Sequence, residues 1–379
     1  MILEKFHDAP NEEYDDITQL ENNQIYHLMA LISNKKLLFD TLKYLKIDMR
    51  LVSIDTINFE YIQKAYCILR QLQYAIQSKQ FTELQLINLT SQFYMLIPLI
   101  DNIREPIINN VFTVNRLFRI VNKLSGLHST MQIIKSDSKN YFQSLEYIYH
   151  NVQTKIKHLS EDKPMFSIIK TYVENTHGST HSKYQIQLLN IYKITRKDER
   201  KRYDKFCTAN NITNKMLLWH GTHLSNYLSI LKSGLVLQSD VLPGTVVTSR
   251  MFGIGIYGAN SVSKSFNYAN TNKQNPVSCV LLAEFGLGNI SMRNKDDHYI
   301  TGDALNKAGY NSVQGCGQHI PSSYITRNNV IIPQGKLHKS TLLGTDPKNY
   351  PLVYDEFVIY NENQINLKYI VEVKALYNS

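Results

Sequence analysis

Three clusters in the second half of the chain hold residues that could do chemistry. The first is Leu217-Leu218-Trp219-His220-Gly221-Thr222. An apolar run ends at a histidine, and the glycine after it lets a flat ligand reach the backbone N–H and C=O directly. A histidine at a strand end also serves structure alone, so this cluster by itself decides nothing. The second runs from Met251 through Gly253, Gly255, Tyr257 and Gly258 to Ser261, Lys264, Ser265 and Tyr268. A helix opening near Ser261–Ser263 sets Lys264 and Tyr268 on one face with Ser265 adjacent, which offers a hydroxyl, an aromatic face and backbone amides to a carboxamide ring. The same residues also read as a glycine-rich surface loop leading into an ordinary helix. The third is Tyr354-Asp355-Glu356-Phe357-Val358-Ile359-Tyr360. Strand alternation puts Tyr354, Glu356 and Val358 on one face, and a carboxylate among apolar neighbours is costly unless it is paired or functional. An edge strand with Glu356 in water fits the pattern equally.

The spacing Gly253-x-Gly255-x-x-Gly258 matches a dinucleotide-binding fingerprint, but its context does not. That fingerprint needs a strand before it and an acid about 20 residues on. Here Thr248-Ser249-Arg250 precede it, and Lys273, Gln274 and Asn275 stand where the acid belongs.

The elements that must position these clusters fall into two textures. Ile62, Ala65, Tyr66, Leu69, Leu72 and Ile76 recur at helical spacing, as do Leu86, Leu89, Phe93, Leu96 and Ile97, and no glycine occurs before Gly126. Helices are therefore expected from Gln24 to Ile134, and again over 142–152 and 165–176. Strands are expected over 184–194, 216–220, 277–285, 354–360 and 369–373, with glycine- and serine-rich loops between them. The expected fold class is α+β, an N-terminal all-helical bundle followed by an antiparallel-sheet domain. The expected division is an acidic tail over 1–24, the helical domain over 25–135 and the catalytic domain over 136–379.

Residues 1–23 carry seven acidic groups against Lys5, within a chain of net charge +9. The remainder, at +15, attracts polyanions such as nucleic acid or presents a solvated basic surface. Arg196–Arg202 is a basic cluster of the kind found in import signals, in nucleic-acid contacts and in exposed turns. Four cysteines without a C-x-x-C pair argue against a disulfide framework or a zinc site. The acidic start and the absence of a long apolar run point to an intracellular protein without a membrane span.

Taken in order, the three clusters resemble the catalytic domain of poly(ADP-ribose) polymerases, whose signature is a His–Tyr–Glu triad on separate segments. His220, Tyr257 and Glu356 fall in those segments, and Gln364–Tyr369 matches the family's tail. Ile62–Tyr66 and Phe93–Pro98 look like the family's helical regulatory domain. The resemblance implies that NAD⁺ is consumed as a substrate without a metal. His220, Gly221, Thr222, Asn226, Tyr257, Ser265 and Tyr268 would bind it. Glu356 would act with Lys264 nearby, and Met251 and Tyr354 would border the acceptor. It implies ADP-ribose transfer to protein acceptors, the enzyme itself included, with elongation to poly(ADP-ribose). It also implies contact with DNA or poly(ADP-ribose) through the basic surface, and the nucleus as the compartment. Asn122 and Gly126 depart from the acids that DNA-dependent members carry there, and Ile254 from a lysine. The helical region is expected to restrain the enzyme less, or to be relieved by a partner in trans. Mono-ADP-ribosylation and plain nucleotide binding are the competing readings.

Overall fold

A computed structural model describes residues 24–51, 58–134, 141–237, 251–340 and 352–378. The acidic segment before Gln24 lies outside them. Five helices come first: α1 (Gln24–Ile32), α2 (Lys35–Tyr44), α3 (Phe59–Ser78), α4 (Glu83–Leu96) and α5 (Val111–Ile134). Their starts are written in side chains. Asn34 and Asn58 cap α2 and α3, and Thr82 forms a reciprocal capping box with Gln85 on α4. α3 ends at Lys79 in the left-handed region, and α4 stops two residues before Pro98. Leu69, Leu72, Phe93, Leu117 and Val121 meet in one buried cluster, so α2–α5 form the expected helical bundle.

Beyond it come α6 (Tyr141–Asn151), β1 (Thr154–His158), α7 (Pro164–Asn175), β2 (Tyr184–Arg196), α8 (Glu199–Ala209), β3 (Lys215–His220), α9 (Tyr227–Ser233), β4 (Ile256–Gly258), α10 (Val262–Phe266), β5 (Val277–Gly286) and β6 (Ile290–Arg293). They are followed by α11 (Gly302–Lys307), β7 (Ser312–Gly315), β8 (Gly317–Pro321), β9 (Tyr324–Arg327), β10 (Val330–Pro333), β11 (Leu337–Lys339), β12 (Leu352–Tyr354), β13 (Glu356–Ile359) and β14 (Ile365–Tyr377). One sheet runs β1-β2-β14-β5-β3-β10-β9, a second β4-β13-β7-β6 and a third β11-β8-β12. Among the described residues no helix is long and apolar enough to cross a membrane.

The expected antiparallel sheet needs correction. β10 runs parallel to β3, β6 to β7, and β12 to β8, so each sheet is mixed. In each case the pairing joins strands whose intervening chain has crossed over rather than turned back. The run over 277–285 is mostly apolar, Ser278 and Glu284 apart, because helices cover both faces of β5. Leu281, Ala283 and Phe285 face the cluster that also holds Ile148 and Leu228, while Val280 and Leu282 face Tyr172 and Phe266. α1 belongs to the first of these faces, since Leu28, Met29 and Ile32 pack there with Leu145, Tyr192 and Ile370. A hydrogen bond of 2.8 Å from His27 to Glu372 on β14 reinforces it.

Candidate functional site

The site gathers where the end of β3 meets α10. His220 ends the interior strand β3, and an isolated antiparallel bridge between Trp219 and Ala259 ties that end to the chain leaving β4. His220 Nδ1 lies 2.8 Å from the carbonyl of Tyr257. A carbonyl only accepts, so Nδ1 carries the proton and Nε2 presents its lone pair. Burial pushes the pKa of His220 down and so favours the neutral ring, against the raising effect of that bond. A sugar hydroxyl is the natural donor to such a nitrogen.

Gly221 follows, and its lack of a side chain is obligatory. A Cβ there would sit 1.6 Å from the backbone oxygen of Ser265. Ser265 is buried and donates to the carbonyl of Trp219 at 3.0 Å, so its hydroxyl is held beside Gly221. The expected helix is short. Ser261 caps α10 by accepting from Lys264 N, and the helix tightens to a 3₁₀ turn over Asn267–Ala269. That turn leaves the Tyr268 ring 60% exposed, with Glu356 near enough to help burial raise its phenol pKa. Thr222 and Asn226 are paired by a 2.8 Å bond from the Asn226 amide to the threonine hydroxyl.

Tyr257 lies on β4 opposite Val358, two residues along from Glu356. Its hydroxyl donates to the carbonyl of Gly253 at 2.7 Å and accepts from Phe252 N at 3.1 Å, which fixes the ring. Glu356 opens β13. Its carboxylate lies 3.1 Å from Lys264 Nζ, and both side chains are about one-seventh exposed. Lys264 also donates to the carbonyl of Tyr354 at 2.6 Å. Burial lowers the Lys264 pKa, and Glu356 works against that shift. The site therefore offers a fixed carboxylate beside a cation, a neutral histidine with an open acceptor, a buried hydroxyl and a half-open aromatic face.

Two expected features are arranged differently. The segment 354–360 is not one strand, because β12 stops at Tyr354 and β13 starts at Glu356 in another sheet, with Asp355 at the step. Tyr354 is only 2% exposed, and its hydroxyl is held by Thr180 at 2.8 Å from Thr180 Oγ1. Met251 is half-buried and packs with Phe252 and Val313. In the basic cluster, Arg196 pairs with the buried Glu199 at 2.7 Å, and Arg200 with Asp204 at 2.6 Å, while Lys197, Lys201 and Arg202 are exposed. Sequence reasoning passed over Asp355 and Asn260, which are buried and bonded to each other at 2.9 Å. The signal was an acid directly beside Glu356 in an otherwise apolar run.

Residues 163–375 match the family model described as the poly(ADP-ribose) polymerase catalytic domain, and residues 18–149 match that of the regulatory domain. The chain is 32% identical over 357 residues to poly(ADP-ribose) polymerase 1 of Xenopus laevis, covering 93% of this chain and 34% of that protein. It is 30% identical over 372 residues to poly(ADP-ribose) polymerase 2-A of Oryza sativa subsp. japonica, covering 96% of this chain and 54% of that one. Thus the chain spans about a third to a half of the length of these relatives.

Proposed function

The chain belongs to the poly(ADP-ribose) polymerase family, and from that premise we propose that it cleaves the nicotinamide glycosidic bond of NAD⁺ and transfers ADP-ribose to protein acceptors, elongating it to poly(ADP-ribose). The observation that carries the reading is the Lys264–Glu356 pair beside the Gly221–Ser265 contact. Breaking the C–N bond builds positive charge on the ribose, as in glycoside hydrolysis. A carboxylate fixed nearby in a largely dry site stabilises that charge without having to reorganise. Nicotinamide leaves as a neutral molecule, so the departing group needs no proton.

The residues divide the work. Gly221 and the Ser265 hydroxyl would hold the carboxamide, Tyr268 and Tyr257 the ring, and His220 Nε2 the adenosine ribose. Thr222 and Asn226 would line the same side. Glu356 would accept from the nicotinamide ribose and polarise the incoming hydroxyl. Lys264 would hold that carboxylate in one rotamer. The retained Glu356 favours elongation over single transfer. Acceptors include the enzyme itself. The exposed Lys197, Lys201 and Arg202 suit DNA or the polymer, and the nucleus is the compartment in which those meet.

The test is incubation with labelled NAD⁺, with and without nicked DNA, comparing the natural protein with Glu356→Gln. A high-mass smear that Glu356→Gln abolishes or shortens to single units is expected. No incorporation in either lane, with 3-aminobenzamide still bound, would mean a pocket that has lost its chemistry.

A further inference from the structure

The step between β12 and β13 is held by one side chain. Asp355 is 2% exposed and accepts three hydrogen bonds. Gly317 N donates to Oδ1 at 2.7 Å, while Asn260 Nδ2 and Gln314 Nε2 donate to Oδ2 at 2.9 and 3.1 Å. These donors come from three places: the segment between β4 and α10, strand β7, and the start of β8. The chain crosses between the same two sheets at Cys316, directly beside this point. The crossing is so close that a Cβ on Gly317 would lie 2.3 Å from the Tyr354 carbonyl carbon and 2.4 Å from Asp355 N.

The residues on either side of Asp355 are the ones that touch Lys264. Tyr354 gives it a carbonyl and Glu356 a carboxylate. Asn260 sits four residues before Lys264 and five before Ser265 on the segment that enters α10. Anchoring Asn260 to Asp355 therefore couples the pocket segment to the strand of Glu356.

We propose that Asp355 is a positioning residue that locks the Lys264–Ser265 segment to the Glu356 strand and so sets where the catalytic carboxylate stands relative to the nicotinamide pocket. The proposal rests on the function given above. A carboxylate suits the task because its two oxygens accept from three N–H groups at once, whereas an amide has one acceptor oxygen. The choice has a stability cost. Burial pushes the Asp355 pKa up from 3.8 to about 6, against the three bonds and Lys264, so the carboxylate that predominates at neutral pH is harder to ionise in the fold than in the unfolded chain and costs stability there.

The experiment compares the natural protein, Asp355→Asn, Asn260→Asp and the double exchange. Asp355→Asn should lower kcat for NAD⁺ by about tenfold or more, with KM and 3-aminobenzamide affinity within about threefold, because Gly221 and Ser265 hold each other independently of Asp355. Its melt at pH 7.5 should stay cooperative with a midpoint well above the assay temperature, which separates lost positioning from lost folding. Asn260→Asp alone should be the worst variant, since it sets two buried carboxylates face to face. The double exchange reverses the direction of that one hydrogen bond, with the Gln314 amide free to turn and accept, and should recover kcat by about threefold or more over Asp355→Asn. Asp355→Asn turning over at the natural kcat would overturn the proposal, as would a double exchange no better than the single variant. If the natural protein has no turnover, the functional reading fails, and a crystal structure of Asp355→Asn decides the positioning claim separately. Separation of Lys264 from Glu356 supports it, and an unchanged 3.1 Å contact refutes it.

Discussion

Gly221→Ala tests the pocket at its tightest point. The added Cβ would lie 1.6 Å from Ser265 O, 2.4 Å from Ser265 C and 3.0 Å from Ser265 Cα. All three are backbone atoms of a capped helix, so no side-chain rotation can relieve the contact. Ordinary contact begins near 3.4 Å, so the end of β3 and α10 must separate by about 1.8 Å. That motion carries His220 one way and Lys264, Ser265 and Tyr268 the other. Overpacking of this kind costs about 1–3 kcal/mol of stability. A misplacement of about 1 Å costs roughly 100-fold in rate. The expected result is a fall in kcat/KM for nicotinamide release of at least about 100-fold, equivalent to about 2.7 kcal/mol, with 3-aminobenzamide binding lost in parallel. Gly309→Ala is the control. It has φ of +83° but nothing within 4 Å of its Cβ, so it should lose about 1 kcal/mol of stability and none of the activity. If Gly221→Ala keeps activity within about fivefold, the close approach does not define the pocket and the assignment of Gly221 is wrong.

Lys264→Met should lower kcat and cost about 2 kcal/mol in chemical denaturation, because it strands the partly buried Glu356 and the Tyr354 carbonyl together. Unchanged kcat would remove Lys264 from the mechanism. Arg196→Ala should cost about 3–5 kcal/mol, since its guanidinium bonds Glu199 and the carbonyls of Leu231 and Lys232 at the end of α9. Arg196→Lys should recover less than half of that because it lacks the planar fork, and a surface-like effect below about 0.5 kcal/mol would refute the structural role. His223 is held near pKa 4, first by burial and then by Lys123. A depressed histidine leaves the folded state short of a proton that the unfolded chain binds, so stability is lost as pH falls from about 6.5 to about 4, by up to about 3 kcal/mol. Denaturant midpoints against pH should therefore fall less steeply for His223→Gln, and parallel curves would exclude it as the source.

The candidate site was legible through three short segments whose order along the chain carries the family resemblance. The residue types of His220-Gly221, Lys264-Ser265 and Glu356 left a structural reading open one by one, and only their order along the chain singled them out. What was illegible depends on contacts between strands distant in sequence. Alternation over 354–360 gave one strand because period-2 spacing continues through Asp355, while the pairing partner changes there from β8 to β7 and β4. The role of Asp355 is set by Asn260, Gln314 and Gly317, each at least 38 residues away. The short strands β6–β11 were missed for the same reason, since three to five residues carry too little periodicity to stand out. Tyr354 reads as a site aromatic in sequence, yet the nearby Thr180 loop claims its hydroxyl.

The helical region bears on the site through α5, and the way it does so constrains how any restraint can be tested. Deleting residues 1–135 would remove α1 along with the bundle. Leu28, Met29 and Ile32 of α1 are each at most 2% exposed in the sheet's core, and burial of such side chains contributes about 1.5–3 kcal/mol apiece. Together with the His27–Glu372 bond that loss approaches the whole stability of a typical domain, about 5–15 kcal/mol. The truncated chain should therefore aggregate or melt far below the full one, and its low activity would say nothing about restraint. Thr130→Val perturbs one contact of the helical region with the loop after β3 and leaves the Thr41–Ser225 and Tyr44–His223 contacts of α2 in place. The Thr130 hydroxyl donates to the buried carbonyl of Ser225 at 2.8 Å, and one turn earlier Gly126 lies against Asn226. Losing that donor costs about 1–3 kcal/mol and loosens α5 from the loop that carries Thr222 and Asn226, while α1 stays in place. If α5 holds that loop away from NAD⁺, KM should fall with kcat unchanged. A KM that rises instead would make α5 a wall of the binding site, and an unchanged KM would mean that the contact supports the fold alone.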